Sequence, residues 1–302
     1  MDLTKLDLKE DNMTWLGGGT YGKVYKTTYI KKDGNKAEVA VKLFRQKHGD
    51  NNQEKNRARI YEELSILERI KHPYIIPLLG YTQNDDVILV FPLRIGHLFK
   101  YLSQNEDRIP VNILTRYCAQ IVEGLMFIHK SDIIHRDLKA QNILVKDEFT
   151  VQISDFGLAC SATGKKQACG TLTHLAYEYL QRECASKEGD VWAYGVTVWE
   201  IYEVGNRVPY EDQIDNITMK SLLEFLDSGK TLLKPERMPP ELWGAVRKCK
   251  YSNLVKIEDY WSSGFAKDKK VREKLPALYL KFLRVQIPRC TEWYSSAFSS
   301  NV

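Results

Sequence analysis

The sequence predicts an α+β fold of two lobes, with strands concentrated before residue 95 and helices after it. Two observations lead to this prediction. In the first hundred residues, short β-branched or alternating runs separated by turn residues surround a single helical pattern. After residue 95 the hydrophobic period becomes that of helices, in segments 98–103, 111–130, 189–204 and 219–227. Strands that precede helices, rather than alternate with them, are typical of an α+β fold.

The elements of the first lobe follow in order along the chain. WLGG and KVYKTTYI lie on either side of a glycine-rich turn, EVAVKLF is a short alternating run, and VILVFPL at 87–93 resembles a buried strand. The helix at 54–71 carries apolar residues at helical spacing: Ile60, Leu64 and Leu67. His72 and Pro73 would end this helix. We expect a hinge between the lobes at 91–95, and short strands in the second lobe at 142–145 and 151–155.

Composition restricts the class of protein more than its chemistry. The chain has 302 residues, 43% hydrophobic and 27% charged, which is typical of a soluble globular protein. It contains no apolar run of the roughly 20 residues that a membrane-spanning helix needs, so no stable membrane insertion is expected. The charged N-terminus, MDLTKLDLKEDN, predicts no secretory signal. Six cysteines without CxxC spacing argue against a zinc site and fit a reducing compartment, so we expect cytoplasmic or nuclear localisation.

The charge pattern does not predict a nucleic-acid-binding protein. Lysine and arginine number 44 against 39 acidic residues, and the excess is not gathered into one basic arm. The densest basic cluster, KDKKVREK at 267–274, is typical of a solvated helix face, although contact with an acidic partner or anionic lipid is the alternative. We therefore expect no nucleic-acid partner.

A glycine-rich turn is the first motif with chemical meaning. Gly17, Gly19 and Gly22, followed by Val24, form a GxGxxGxV pattern. Such glycines let the backbone approach phosphate oxygens with its N–H groups. A dinucleotide-binding loop uses similar spacing but opens a helix, whereas here a strand follows. The pattern therefore favours a glycine-rich hairpin over a bound phosphate, and a plain hairpin turn is the alternative.

A lysine and a glutamate of the first lobe form a candidate phosphate-binding pair. Lys42, in the run VAVK, lies 18 residues beyond Val24 on a short strand, a distance that suits a lysine reaching under the glycine-rich turn. Glu63 on the helix at 54–71 is the candidate carboxylate that orients it. Glu62 and Glu68 on the same helix are expected to face solvent.

The segment from His135 to Asn142, HRDLKAQN, carries the strongest signal. The sequence DFG begins 13 residues later, at Asp155. Phosphoryl transfer needs a carboxylate near the incoming hydroxyl and oxygen ligands for Mg²⁺. Asp137 supplies the first, and Asn142 and Asp155 supply the second. Each residue alone could be a turn or cap residue, but their order and spacing together favour a catalytic site.

On these motifs the chain resembles the eukaryotic protein kinase family over about residues 10–250. The resemblance implies a bilobal domain at 10–255, with an N-lobe at about 10–92, a C-lobe at about 94–255, and ATP and Mg²⁺ in the cleft. The tail at 256–302 would be an extension or the end of the C-lobe, through which a regulatory partner could bind. The implied substrate is a protein.

The same resemblance assigns a role to individual residues. Lys42, paired with Glu63, would hold the α- and β-phosphates, and Asp137 would position or deprotonate the substrate hydroxyl. Lys139 would contact the γ-phosphate, while Asn142 and Asp155 would hold metal. By the same resemblance, adenine would lie between Leu16, Val24, Ala40 and Leu144, with Val90 as the gatekeeper. The remaining nucleotide contacts would come from Gly17, Gly19 and Gly22 of the glycine-rich turn and from Leu93 of a hinge at 91–93.

The sequence gives mixed signals about the acceptor. HRDLK, with Lys139, and CGTLTHLAYE at 169–178 resemble serine/threonine kinases, in which Thr171 would bridge Asp137 and Lys139. DVWAYGVTVWEI at 190–201 and RMPPELWGAVRKC at 237–249 resemble tyrosine kinases and tyrosine-kinase-like groups. Because the loop contacts substrate, we predict serine/threonine or dual specificity. A tyrosine kinase, or a pseudokinase scaffold that binds nucleotide, is the alternative.

Several positions depart from the family pattern. Tyr177 replaces a proline, His174 a tyrosine and Ala193 a serine. The arginine that normally pairs with Glu178 is replaced by Ile257, with Arg289 as a possible substitute. These departures keep the scaffold alternative open, whereas the presence of every catalytic residue favours an active enzyme. A phosphate on Ser161, Thr163 or Thr173 could pair with Arg136.

Overall fold

The computed structural model describes residues 6–18, 22–44, 53–83, 87–162, 169–182 and 185–249. The N-lobe is a five-stranded antiparallel sheet in the order β1-β2-β3-β5-β4. Its strands are Thr14–Gly18, Lys23–Ile30, Lys36–Phe44, Gly80–Gln83 and Val87–Pro92, numbered β1 to β5 along the chain. The sheet with its single helix, and the helical lobe that follows, confirm the predicted bilobal α+β fold.

Helix α1, Gln53–Arg69, packs its apolar face under this sheet. Ile60, Leu64 and Leu67 are all buried, as the helical spacing predicted. The helix ends at Arg69, before the His72-Pro73 pair, because Pro73 has no N–H to donate to the Arg69 carbonyl four residues earlier. The buried face of α1 joins the main hydrophobic core, which continues into the C-lobe and includes Phe156.

The C-lobe is built mainly of helices. Its helices are α2 to α7: Leu98–Gln104, Val111–Lys130, Tyr177–Arg182, Lys187–Tyr202, Met219–Asp227 and Pro240–Cys249. Short strands accompany them, numbered β6 to β10: Gly96–His97, Ile133–Ile134, Ile143–Asp147, Thr150–Ile153 and Cys160–Ser161. Helix α5, Lys187–Tyr202, is almost wholly buried, and the hydroxyl of Ser186 caps its first turn by accepting from the Gly189 N–H at 3.0 Å. No helix in the described residues is both long enough and apolar enough to cross a membrane.

The two lobes are joined by backbone and side-chain hydrogen bonds beside the hinge. Ile153 donates its N–H to the Tyr74 carbonyl at 2.8 Å, and Ile76 donates back to Ile153 at 2.9 Å. Arg94, just after β5, donates to the Gln152 amide oxygen at 2.7 Å, and Gln152 in turn donates to the Pro73 carbonyl at 2.8 Å. These bonds fix β9 of the C-lobe against the segment between α1 and β4 of the N-lobe.

Candidate active site

Lys42 lies between two carboxylates at the back of the cleft. Its Nζ is 2.7 Å from Glu63 Oε1 and 3.1 Å from Asp155 Oδ1. Burial disfavours the charged form of Lys42, but the charges of Glu63 and Asp155 outweigh it and raise the pKa above its ordinary value. Burial also raises the pKa of Glu63, whose side chain is only 3% exposed. The structure therefore brings the predicted lysine and glutamate together and adds Asp155 as a second partner of the lysine.

Asp137 is held by three side chains around it. Its Oδ1 accepts from the Thr171 hydroxyl at 2.7 Å, and its Oδ2 accepts from the Asn142 amide at 2.8 Å and lies 3.1 Å from Lys139 Nζ. Lys139 also donates to the Thr171 hydroxyl at 2.6 Å. Burial opposes ionisation of Asp137, but the charge of Lys139 and these hydrogen bonds outweigh it and hold the pKa below its ordinary value. The Thr171 bridge expected from the loop sequence is present.

The backbone of the segment from His135 to Asn142, called the catalytic loop below, is anchored by a buried carboxylate. Asp190 of α5, 2% exposed, accepts from the N–H groups of His135 at 2.7 Å and Arg136 at 2.8 Å, and from His129 Nε2 at 2.9 Å. Arg136 has a φ of 68°, a left-handed conformation that these bonds compensate. In the sequence, the DVW motif bore only on the class of acceptor, and this anchoring role of Asp190 was not predicted from it.

Asn142 and Asp155, the predicted magnesium ligands, occupy neighbouring positions. Ser154, next to Asp155, donates both its N–H and its hydroxyl to the Asn142 carbonyl at 2.8 Å. The Asn142 amide nitrogen is used by Asp137, so its amide oxygen is the atom suited to a metal. Asp155 is 48% exposed and has a φ of 57°, and Phe156 beside it is buried against His135. Two hard oxygen ligands at the cleft surface fit Mg²⁺, which keeps several waters and substrate oxygens as its other ligands.

This site is not a cage built by the protein alone. Within the described residues there is no group of three or more His, Cys, Asp or Glu side chains arranged to hold a metal ion. The donors present are one amide and one carboxylate, so they suit an ion that arrives with a phosphate-bearing substrate rather than a permanently bound structural metal.

The pairing of strands in the N-lobe sheet shows which residues lie on the same face as Lys42. Val24 pairs with Lys42 and therefore shares its face, and Ala40 lies two residues along the same strand on that face. A Cβ at Gly22 would lie 3.0 Å from the Phe44 ring and 3.2 Å from Lys42 Cγ, so this backbone passes close over the lysine. The other predicted nucleotide contacts differ in exposure: Leu93 and Leu144 are half-buried, and Leu16 is 48% exposed. Gly17 pairs with Val24 in the sheet, and Gly19 lies outside the described residues.

The register does not support Val90 as a cleft residue. Val90 pairs with Val41 and packs with it on the opposite face of the sheet, together with Val39 and Ile88. Leu89 pairs with Lys42 and belongs to the core beneath the sheet. Because side chains alternate along a strand, a prediction one residue away from the true register selects the wrong face. Leu89 is the residue of β5 that the structure places beside Lys42.

Other predicted features receive new neighbours or fall outside the described residues. Glu68 is exposed, as expected, and accepts from the Tyr81 hydroxyl at 2.8 Å, whereas Glu62 is half-buried. Arg136 directs its Nε to the Leu158 carbonyl. Thr163, the basic cluster at 267–274, Ile257 and the candidate partner of Glu178, Arg289, lie outside the described residues.

Comparison with known proteins finds protein kinases by both family and sequence similarity. Residues 11–256 match the family described as protein tyrosine and serine/threonine kinase. The receptor tyrosine-protein kinase erbB-4 of Homo sapiens is 30% identical over 242 residues, covering 78% of this chain and 18% of that receptor. The epidermal growth factor receptor of Apis mellifera is 32% identical over 260 residues, covering 82% of this chain and 19% of the receptor. The inactive tyrosine-protein kinase kin-32 of Caenorhabditis elegans is 31% identical over 240 residues, covering 77% of this chain and 26% of that protein.

The chain belongs to the protein tyrosine and serine/threonine kinase family, which confirms the resemblance found in its motifs.

Proposed function

We propose that this domain transfers the γ-phosphoryl group of ATP to a hydroxyl group of a protein substrate. The observation that carries the proposal is the convergence of Lys42, Asp137, Asn142 and Asp155 on one cleft from three separate parts of the chain. Family membership supports the same reaction. The chain spans about a fifth of the length of the receptors it matches, so the proposal concerns this domain.

The side chains of the cleft divide the reaction between them. A bond forms between the substrate hydroxyl oxygen and the γ-phosphorus, the bond from the γ-phosphorus to the β–γ bridging oxygen breaks, and the hydroxyl proton passes to Asp137. Lys42, kept cationic by its two carboxylate partners, offsets the negative charge of the nonreacting phosphates. Lys139, 3.1 Å from Asp137, supplies positive charge beside the transferred group. Mg²⁺, held by Asn142 and Asp155, would neutralise phosphate charge when bound.

The acceptor that we propose is tyrosine. The relative erbB-4 is a tyrosine-protein kinase by name, and its match covers 78% of this chain. This support comes from the whole domain, whereas the serine/threonine prediction came from one loop. The tyrosine alternative of the sequence analysis therefore becomes the main proposal.

Serine/threonine specificity is the second candidate because one observation favours it. Thr171 bridges Asp137 and Lys139 with distances of 2.7 and 2.6 Å, the arrangement that the loop sequence predicted for that class. The bridge positions the base whichever hydroxyl enters, so it favours serine/threonine without requiring it.

A scaffold without activity is the competing class, and one relative is named inactive. Against it, Lys42, Glu63, Asp137, Asn142 and Asp155 are all present and connected by short polar contacts. A chain released from catalysis would not need to retain a carboxylate that accepts from Thr171 and Asn142 and lies beside Lys139.

Phosphoamino-acid analysis tests the proposal. The protein is incubated with γ-labelled ATP, Mg²⁺ and three peptides that differ only in a central Tyr, Ser or Thr, with Asp137→Asn as the control. We expect label on the Tyr peptide from the wild type only. Label confined to the Ser and Thr peptides would support the second candidate, and MgATP binding without transfer to any peptide would contradict the proposed reaction.

A further inference from the structure

His174, one of the residues that departs from the family pattern, is buried in the segment that precedes α4. Its side chain is 4% exposed, and its Nε2 lies 3.2 Å from Oε2 of Glu200, a residue of α5 that is itself almost completely buried. The two atoms do not form a hydrogen bond in this structure, so the contact is a close polar approach of the imidazole to the carboxylate. A buried carboxylate and a buried imidazole are costly to place in a core unless they offset one another.

The same glutamate also holds the catalytic loop. Glu200 Oε2 accepts the N–H of Ala140 at 2.8 Å, and Ala140 directly follows Lys139. One carboxylate oxygen therefore contacts both the loop that carries Asp137 and Lys139 and the segment that carries Thr171 and His174.

The other ring nitrogen of His174 is also engaged. Nδ1 lies 3.1 Å from the hydroxyl oxygen of Thr173. The Thr173 hydroxyl can donate to Nδ1, which leaves Nε2 as the ring nitrogen beside Glu200. The ring is thus fixed at both ends, and with it the backbone of residues 172–174, which forms a 3₁₀ turn directly after Thr171.

We infer that His174 is a positioning residue that couples the segment at 170–176 to the catalytic loop through Glu200. The inference rests on the proposed phosphoryl transfer, since it assigns to this segment the role of presenting the protein substrate to Asp137. Loss of the polar contact should loosen the segment and weaken substrate binding, whereas the nucleotide-side residues Lys42 and Asp155 remain as they are.

A matched pair of substitutions at His174 distinguishes the effect of its polar contact with Glu200 from the effect of its side-chain volume. His174→Gln keeps a side-chain N–H at similar reach, and His174→Met has similar length without a donor. A small cavity borders His174 together with Arg136, Tyr179 and Ala193, so both unbranched chains have adjacent room. We expect His174→Met to raise the KM for a protein substrate by about tenfold while the KM for ATP changes by less than about twofold. His174→Gln should recover most of this loss.

Hydrogen–deuterium exchange of the amides at 170–176 provides a measurement that needs no activity. We expect faster exchange in His174→Met than in His174→Gln or the wild type, with unchanged exchange in β3 and β5. Equal exchange and equal substrate KM in the two variants would overturn the inference. A wild type that fails to transfer phosphate would instead contradict the proposed function, and the exchange comparison would still decide the role of His174.

Discussion

Removing the Thr171 hydroxyl tests whether the bridge between base and lysine matters to the reaction. Thr171→Val preserves the shape of the side chain but removes the oxygen that donates to Asp137 at 2.7 Å and accepts from Lys139 at 2.6 Å. Hydrogen bonds to charged partners contribute about 1.5–3 kcal/mol each. Lys139 keeps its direct contact with Asp137 at 3.1 Å, so we expect the loss to correspond to about one such bond rather than two.

A loss of about 1.5–3 kcal/mol in transition-state stabilisation lowers kcat/KM by roughly 10- to 150-fold. Initial-rate kinetics with a protein substrate at saturating MgATP measures it, and Thr171→Ser is the control because it keeps the hydroxyl. We expect Thr171→Ser to stay within about threefold of the wild type. Valine and serine variants of equal activity would refute the reasoning, since the hydroxyl would then contribute nothing to catalysis.

Three further predictions concern the surrounding residues. Lys42→Met should lower turnover by at least about 10²-fold and lower the melting temperature, because buried Glu63 loses its cation. Adding Glu63→Gln to this variant should restore stability but not activity. A Lys42→Met variant as stable as the wild type would contradict this prediction. Because the pKa of Asp137 lies below its ordinary value, its charge stabilises the native state above the unfolded-state pKa, and this stabilisation is lost as pH falls through the native pKa. The difference in free energy of unfolding between wild type and Asp137→Asn, measured in urea, should therefore shrink from about pH 7 to about pH 3. A constant difference would argue against this prediction. Tyr177→Phe removes the 2.6 Å bond to Asp227 and should cost about 0.5–1.5 kcal/mol in the same assay, a result that an unchanged midpoint would exclude.

The grouping of the candidate catalytic residues could be predicted from the sequence because they lie in short contiguous motifs. HRDLKAQN places Asp137, Lys139 and Asn142 within six residues, so local spacing alone brings them together. Glu63 was also found, since the helical pattern of α1 indicated which of its glutamates faces inward. The predicted helices agree with α1, α2, α3, α5 and α6 to within about two residues, the usual uncertainty at helix ends, whereas α4 and α7 were not predicted.

Features that depend on register or on distant contacts could not be predicted in the same way. The assignment of Val90 to the cleft depended on the pairing of β3 with β5, where a shift of one residue reverses the face. The partner of His174 is 26 residues away on α5, and its identity follows from packing rather than from any pattern along the chain. His174 was visible in the sequence only as a departure, without a physical role.

The most direct test of the account is single-turnover transfer from γ-labelled ATP to the Tyr peptide, with wild type and Asp137→Asn compared at equal MgATP occupancy. The account predicts rapid labelling by the wild type and a rate lower by about 10²–10⁴-fold in the variant, with unchanged nucleotide affinity. Equal rates in the two proteins, or no labelling by a wild type that is saturated with MgATP, would contradict the assignment of Asp137 and the proposed phosphoryl transfer.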